Sequence, residues 1–477
     1  MDFEKVIGLE VHCELKTNTK MFSAAGVTFG KDANTMVNEV DIAMLGTLPV
    51  VNKKAVEFAI RVCHALHMEI DELLCFDRKN YFYSDLPKGF QITQNRRPLG
   101  RNGYLEIEIN HEKIKIDIEQ LHLEEDTAKQ LHYDDYSLID YNRAGIPLIE
   151  IVTSPHIHSG AQAAAYLEKL RQILLYTDVS DAKLEEGSMR CDVNISIRPV
   201  GVEQLGTRTE IKNLNSISNV EKAIEVEAKR QEEILLSKKS IVQETRRFDE
   251  LTQKTILMRD KGDYIDYRYY PEPNILPIRL SPQWILDIKK QLPIMPDDRE
   301  EIYIKKHGLL KQDAINLVKR KNLSDFYEET IQLCQEYRKV CHWILGDVQA
   351  YLNKNNLTLE QTSITPLYLS QLISYVDDGV VSSKQAKVIF ELMMEEHKSP
   401  EEIIEEKAMK QISDEKILTE IIQDILNNNN QSILDYANGK NKAVGYLVGL
   451  VMKKTNGQAN PIITNQILLQ LLKERTQ

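Results

Sequence analysis

Acidic, basic and imidazole side chains recur at every second position of several otherwise apolar segments. In residues 7–15, Glu10, His12 and Glu14 alternate with Leu9, Val11 and Cys13. Residues i and i+2 of an extended chain share a face about 6.8 Å apart, so the three polar groups point one way. Arg190, Asp192, Asn194 and Ser196 stand in the same relation to Cys191, Val193, Ile195 and Ile197, and Arg208, Glu210 and Lys212 repeat the arrangement. After Ile114, Ile116 and Ile118 the parity slips by one, placing Leu121, Leu123 and Glu125 on one face and His122 with Glu124 on the other. Glu125 therefore continues an apolar row, where a carboxylate needs a cation or a hydrogen-bond donor to offset desolvation.

If these polar faces converge, the carboxylates and His12 make a seat for a hard divalent cation such as magnesium, with Arg and Lys groups turned toward phosphate oxygens. Such an assembly stabilises charge during phosphoryl transfer. A plain alternative stands beside it, since antiparallel sheets commonly keep one wet face. Two loops add candidates. Residues 81–92 (YFYSDLPKGFQI) pack aromatics, a turn and Lys88 into one span, and residues 139–151 (IDYNRAGIPLIEI) join a polar head to a strand through Gly145 and Pro147. No G-x-x-x-x-G-K-[ST], G-x-G-x-x-G after a strand, H-E-x-x-H or G-x-S-x-G is present, so any nucleotide is held without a common phosphate loop.

The elements that would position these groups are mixed. Residues 1 to about 290 alternate strand-like segments, among them 7–15, 105–118 with a turn at 110–113, 189–197 and 207–211, with helical stripes at 161–176 and 220–235, the latter capped by Ser218 or Asn219. Their order and spacing predict an α+β fold, an antiparallel sheet with helices packed on it, rather than βαβ winding. Prolines at 271, 273, 277, 293 and 296 punctuate the chain where strand signals cease, an acid-rich helix start follows at Asp297, and Gly308 ends that helix. The rest reads as helical, interrupted by the asparagines at 427–430 and by an Asn438-Gly439 turn. The predicted division is 1–292, an α+β domain bearing the polar faces, then a helical domain at 293–406 and a small helical tail at 407–477.

At 477 residues the chain is too long for one ordinary core. The net charge of −12 argues against a general nucleic-acid coat, yet residues 407–477 sum to +3 against −15 for the remainder, a basic module on an acidic body. The longest apolar run, 443–452, has ten residues with two glycines, against about 20 for a bilayer span. The acidic N-terminus lacks a leader's charge, so cytoplasmic residence is expected. Six scattered cysteines without a C-x-x-C pair are expected to be buried free thiols.

Several of these segments together carry a resemblance. They are I-G-L-E-V-H at 7–12, R-K-N-Y-F-Y-S-D-L-P-K-G-F-Q-I at 78–92, L-H-L-E-E-D-T-A-K at 121–129, I-D-Y-N-R-A-G-I-P-L-I-E at 139–150, M-R-C-D-V-N-I-S at 189–196 and E-I-K-N-L-N-S at 210–216. The sequence resembles the B subunits of the glutamyl-tRNA(Gln)/aspartyl-tRNA(Asn) amidotransferases along essentially its whole length. The tail segment 435–461 is also family-like.

That resemblance implies a kinase-like cradle domain, a helical domain and a tail reaching tRNA, working with an amidase A subunit and a small C subunit. The implied reaction uses ATP and Mg²⁺ to phosphorylate the side-chain carboxylate of a misacylated tRNA, after which ammonia from the A subunit displaces phosphate. A subunit that keeps the fold but only scaffolds tRNA is the alternative. Carried over residue by residue, Glu10, His12, Glu125 and Glu210 are the implied metal ligands, with Glu124 and Asp192 nearby or ligating through water, while Glu14 and His122 stay outside the set. Lys88, Arg190, Lys212 and Asn213 are implied contacts to nucleotide or acyl end, and Lys440, Lys442, Lys453 and Lys454 to tRNA. Gly445 and Gly449 suit close helix contact. Some members carry a cysteine-rich zinc site in the segment equivalent to 22–46, which here has no cysteine, so no zinc is expected.

Overall fold

The computed structural model describes residues 2–28, 30–260, 266–412, 414–438, 440, 442–455 and 457–476. Gly439 of the Asn438-Gly439 turn lies outside the described residues. The chain divides into two units, Met1–Pro296 and Asp297–Gln477.

The first unit is built on one nine-stranded sheet, whose strands we number β1 (Phe3–Glu14), β2 (Glu69–Ile70), β3 (Gly100–Ile109), β4 (Glu112–Glu125), β5 (Pro147–Thr153), β6 (Met189–Pro199), β7 (Thr209–Lys212), β8 (Glu244–Asp249) and β9 (Lys254–Asp260). Their spatial order is β9-β8-β7-β6-β1-β5-β4-β3-β2. Pairing is antiparallel except between β7 and β8, which run parallel, so the sheet is mixed where a wholly antiparallel one was expected. β1 is central, a position that its alternation and its freedom from proline permit.

Odd residues of β1 and β6 and their cross-strand partners, Leu9, Val11, Cys13, Cys191, Val193, Ile149, Ile151, Leu121 and Leu123, are buried in one apolar cluster. Helices α1 (Lys53–Ala65), α2 (Gly160–Tyr176) and α3 (Ile217–Leu236) supply the opposing side chains of that cluster, including Ile60, Leu167, Leu170 and Ile224. Each fully buried Leu or Ile there contributes about 1.5–3 kcal/mol. The helices cover one face of the sheet, and the even residues are left on the other.

Two local devices differ in detail from the sequence expectation, and a third bears it out. The β3–β4 turn is two residues, Asn110 and His111, both in the left-handed region, with Ile109 paired to Glu112, where the polar run at 110–113 suggests four. The cap of α3 is Ser216, which accepts from Asn219 N–H, two residues before the nearer predicted cap. The parity slip after Ile118 is a bulge: Val152 faces Gln120 but Thr153 faces Ile118, so Glu119 has no counterpart in β5 and residues beyond it change face. A small sheet of Asp77–Asn80, Phe90–Thr93 and Tyr270–Pro271 carries the 81–92 loop.

The second unit is helical from Pro296–Lys305 to Pro461–Thr476, with Gly308 in the left-handed conformation after its first helix. It holds two apolar clusters, one around Tyr303, Leu317, Leu372 and Phe390 and another around Leu418, Leu426, Leu447 and Leu468. A Cβ built on Gly445 or Gly449 meets nothing within 4 Å, so these glycines do not serve the close helix contact expected of them. No helix among the described residues is long and apolar enough to cross a membrane. All six cysteines are free, Cys13, Cys63, Cys191 and Cys341 buried and Cys75 and Cys334 partly so.

Candidate active site

Register turns the local alternation into a site. Glu10 lies opposite Asp192 on β6, while His12 lies opposite Glu150 on β5 and Arg190 on β6. Glu150 in turn faces His122 on β4, and Glu210 on β7 faces Asn194. Cross-strand partners share a face, so all these groups gather on the side that the helices leave open.

Among the described residues two groups of three metal-ligating side chains form, each with donor atoms within 4.8 Å of one another: Glu10, Asp192 and Glu210, and His12, Glu124 and Glu150. In the second group His12 Nε2 lies 3.3 Å from Glu150 Oε2 and 3.6 Å from Glu124 Oε1. His122 approaches the same two carboxylates, at 3.2 and 3.6 Å. Around the first group Asn194 donates to Glu10 Oε1 (2.8 Å), Thr245 donates to Glu210 Oε2 (2.8 Å), and Lys212 bonds Asp192 and sits 3.1 Å from Glu210.

Electrostatics follow from this crowding. Burial works against a charged His12, but Glu150 and Glu124 outweigh it and lift its pKa to about 9. His122 behaves likewise, burial again opposing and the two carboxylates prevailing, and reaches about 10. Burial disfavours the Glu150 carboxylate too, yet the two imidazoles hold it well below the usual range. Glu10 moves the other way, raised by burial and then by Glu150 and Asp192. Three carboxylates facing one another are a poor arrangement without a cation, and the all-oxygen donor set suits magnesium; the His12 group can ligate only once its imidazole is neutral.

The remaining predicted residues sit as follows. Glu125 joins neither group: it lies past the parity slip on the apolar side, where Lys88 pairs with its carboxylate, Ile92 N–H donates to it (3.0 Å) and Gln91 donates to its backbone carbonyl (2.7 Å). Arg190 donates to Asp126 Oδ2 at 2.7 Å, and Asn213 is exposed in a left-handed conformation just after β7. In the tail Lys440 pairs with Asp435 and Lys454 with Asp424, while Lys442 and Lys453 are exposed.

Three residues of the site escape a reading of the sequence. Glu150 alternates with Ile149 and Ile151 in the way Glu10 alternates in β1, a signal hidden when residues 139–151 are taken as a loop entering a strand. His122 shares the face of Glu124, which places it in the site although the resemblance leaves it outside the ligand set. Lys79 carries no signal; it comes from the small sheet with its ammonium 5.0 Å from the Tyr267 ring centroid, and although burial opposes its charge, Glu124 and then Tyr269 and Glu150 raise its pKa.

Residues 5–286, which contain both donor groups, match the model of the GatB/GatE catalytic domain, and residues 325–472 match the GatB domain. The chain is 51% identical over 476 residues to the B subunit of the aspartyl/glutamyl-tRNA(Asn/Gln) amidotransferase of Oceanobacillus iheyensis, with 100% of each chain covered. The chain belongs to the GatB/GatE family. Similar full-length relatives of the same name occur in Staphylococcus haemolyticus (51% identity) and Bacillus velezensis (49%), each pairing covering 100% of both chains. As a GatB/GatE chain it carries its candidate chemistry on β1, β4, β5, β6 and β7 of the catalytic-domain match, and the basic tail residues fall within the GatB-domain match.

Proposed function

We propose that this chain is the ATP-dependent activating subunit of a tRNA amidotransferase, acting on the side-chain carboxylate of misacylated Glu-tRNA(Gln) or Asp-tRNA(Asn). The single observation that carries the reading is the pair of donor groups, Glu10–Asp192–Glu210 and His12–Glu124–Glu150, meeting on the open face of one sheet inside the family's catalytic domain.

In this reading a carboxylate oxygen of the aminoacyl side chain attacks the terminal phosphorus of ATP, the bond to ADP breaks, and ammonia then displaces phosphate to leave the amide. Magnesium, when bound, neutralises phosphate charge. The chain's own residues do the rest. Glu10, Asp192 and Glu210 hold the cation, with His12, Glu124 and Glu150 as a second seat beside it, and Lys212 fixes the orientation of Asp192 and Glu210. Glu125, immobilised by Lys88, forms a charged wall rather than a ligand in the resting chain, and Arg190 and Asn213 lie where phosphate or acyl groups pass. Ammonia comes from an amidase A subunit that assembles with this chain and a small C subunit, and the assembly works in the cytoplasm. The cradle, helical and tail division near residues 292 and 406 belongs to the same proposal, supported by the separate apolar cluster after residue 407.

The reconstituted complex carrying Glu10→Gln or Asp192→Asn is expected to keep tRNA binding within about threefold while losing ATP-dependent phosphate release by roughly 100-fold or more, in the range for removing an electrostatic stabiliser. Unchanged turnover would sink the assignment and leave a tRNA scaffold as the better account.

A further inference from the structure

Apart from the large sheet, Leu73–Leu74 and Ile278–Arg279 pair as two short antiparallel strands, Ile278 opposite Leu74 and Arg279 opposite Leu73. The Leu280 N–H donates to the Glu72 carbonyl at 2.7 Å, which makes Arg279 and Leu73 the pair without mutual hydrogen bonds and turns the N–H and C=O of both residues outward. The Leu73 N–H is taken by Asp71 Oδ1 at 2.9 Å, whereas the Arg279 N–H and C=O have no partner among the described residues. One edge of this small sheet is closed and the other is open. Pro277 and Pro282 bound the open edge, so it can pair with only a few residues and is barred from long edge-to-edge stacking.

That edge borders a groove of about 520 Å³. Ile278, Arg279, Leu280 and Ser281 all line it, and because successive strand residues alternate in face, the groove follows the backbone edge rather than one side of the strand. Its wall is apolar, supplied by Val51, Val56, Leu74 and Trp284. Two cations stand at its rim: Arg279, and Lys53 with its ammonium 5.4 Å from the Trp284 ring centroid. Both are exposed, and neither has a carboxylate partner among the described residues. An apolar trough, two unneutralised cations and a free N–H and C=O thus lie together in one place, and each asks for a different part of the same ligand: apolar side chains, an anion and an extended backbone.

We infer that this groove docks an extended segment of another polypeptide in which an acidic residue lies between two apolar ones. The segment adds as a strand at Arg279, and the residue opposite Arg279 exchanges both backbone hydrogen bonds with it. Cross-strand neighbours share a face, so the apolar-basic-apolar order of Ile278, Arg279 and Leu280 calls for an apolar-acidic-apolar order in the partner. The flanking apolar side chains cover Ile278, which is 39% exposed, and enter the trough beside Trp284, while the carboxylate meets Arg279 with Lys53 at the rim. The inference stands on this edge and groove alone and does not depend on the nucleotide reading of the large sheet.

The test is fluorescence anisotropy on the full chain with three labelled, end-blocked heptapeptides: alternating leucine and glutamate, the same peptide with lysine for glutamate, and the glutamate peptide N-methylated at its central residue. The glutamate peptide is expected to bind about 10-fold more tightly than the lysine peptide, and N-methylation to weaken it about fivefold through the lost backbone hydrogen bond. Arg279→Glu, at an exposed position, is expected to reverse the charge preference, and the gain by the lysine peptide shows that the variant is folded. Trp284→Ala is expected to weaken the glutamate peptide by removing the apolar wall; should the alanine disturb the helix, Lys53→Gln, also exposed, is expected to weaken it about threefold. Equal affinity for the two charges, indifference to N-methylation, or no binding of the glutamate peptide at millimolar concentration each overturns the inference. A wild-type chain that dimerises, and becomes monomeric in Arg279→Glu, gives the edge to a second copy and overturns it as well.

Discussion

Glu150 is where the two imidazoles meet, 3.3 Å from His12 and 3.2 Å from His122. Both imidazole pKa values are raised above the ordinary 6.5, to about 9 and about 10, so charging either ring is easier in the fold than in the unfolded chain. That contribution to stability is fully present below pH 6.5 and is lost as pH climbs through 9 and 10. The ion-free chain is therefore expected to unfold at progressively lower urea concentration between about pH 7 and pH 10, and Glu150→Gln to flatten the trend while bringing both rings back toward ordinary titration. Imidazole NMR titration checks it directly, and rings titrating near 6.5 in the ion-free wild type would contradict the geometry. The same site shows how much a residue's type discloses before its neighbours are known. Glu10, His12, Glu124, Asp192 and Glu210 stand out because a polar group at every second position of a strand is conspicuous. Glu125 is equally visible, and its place in an apolar row calls for a partner, which is Lys88.

At the scale of elements, the strand that brings Glu150 depends on a buried crossing. Lys20, fully buried, donates to Asp41 at 3.0 Å and to the carbonyl of Tyr141 at 3.2 Å, tying residues 20–41 to the loop that leads into β5. Gly145 completes the crossing: its φ is +85°, and a Cβ there would come within 3.0 Å of Asp41 and 3.3 Å of Lys20, so the position needs glycine on both counts. Lys20→Met leaves Asp41 charged and buried alone and is expected to cost about 3–5 kcal/mol, whereas Lys20→Met with Asp41→Leu recovers most of it, as seen for buried pairs replaced by apolar groups. Chemical denaturation of the wild type and the two variants decides this; a single substitution costing under about 1 kcal/mol would mean the pair does not hold the crossing. None of this is legible in the sequence, because Lys20 and Tyr141 are separated by more than a hundred residues and an isolated lysine in a loop gives no sign of burial.

For the whole molecule, the charge asymmetry between an acidic body and a basic tail makes the C-terminal end the expected place of RNA contact. Of the four tail lysines expected to contact tRNA, Lys440 and Lys454 already have carboxylate partners, whereas Lys442 and Lys453 have none among the described residues. Replacing Lys442 and Lys453 by alanine is expected to lower the slope of log affinity against log salt by about 2 for tRNA, and replacing Lys440 and Lys454 by less. Filter binding across a salt series measures both, and equal slopes in all variants would remove the tail from the RNA interface. Alternation alone determined which side of its strand Glu10, His12, Glu124, Glu125, Asp192 and Glu210 occupy, including the change of side at Glu119, because a pleated chain sends successive side chains to opposite faces whatever surrounds it. What it left undetermined was which strands lie side by side. β1 stands between β5 and β6, both distant from it in the chain, and only that non-local pairing, set by burying the apolar rows beneath the helices, brought Glu150 and His122 to His12.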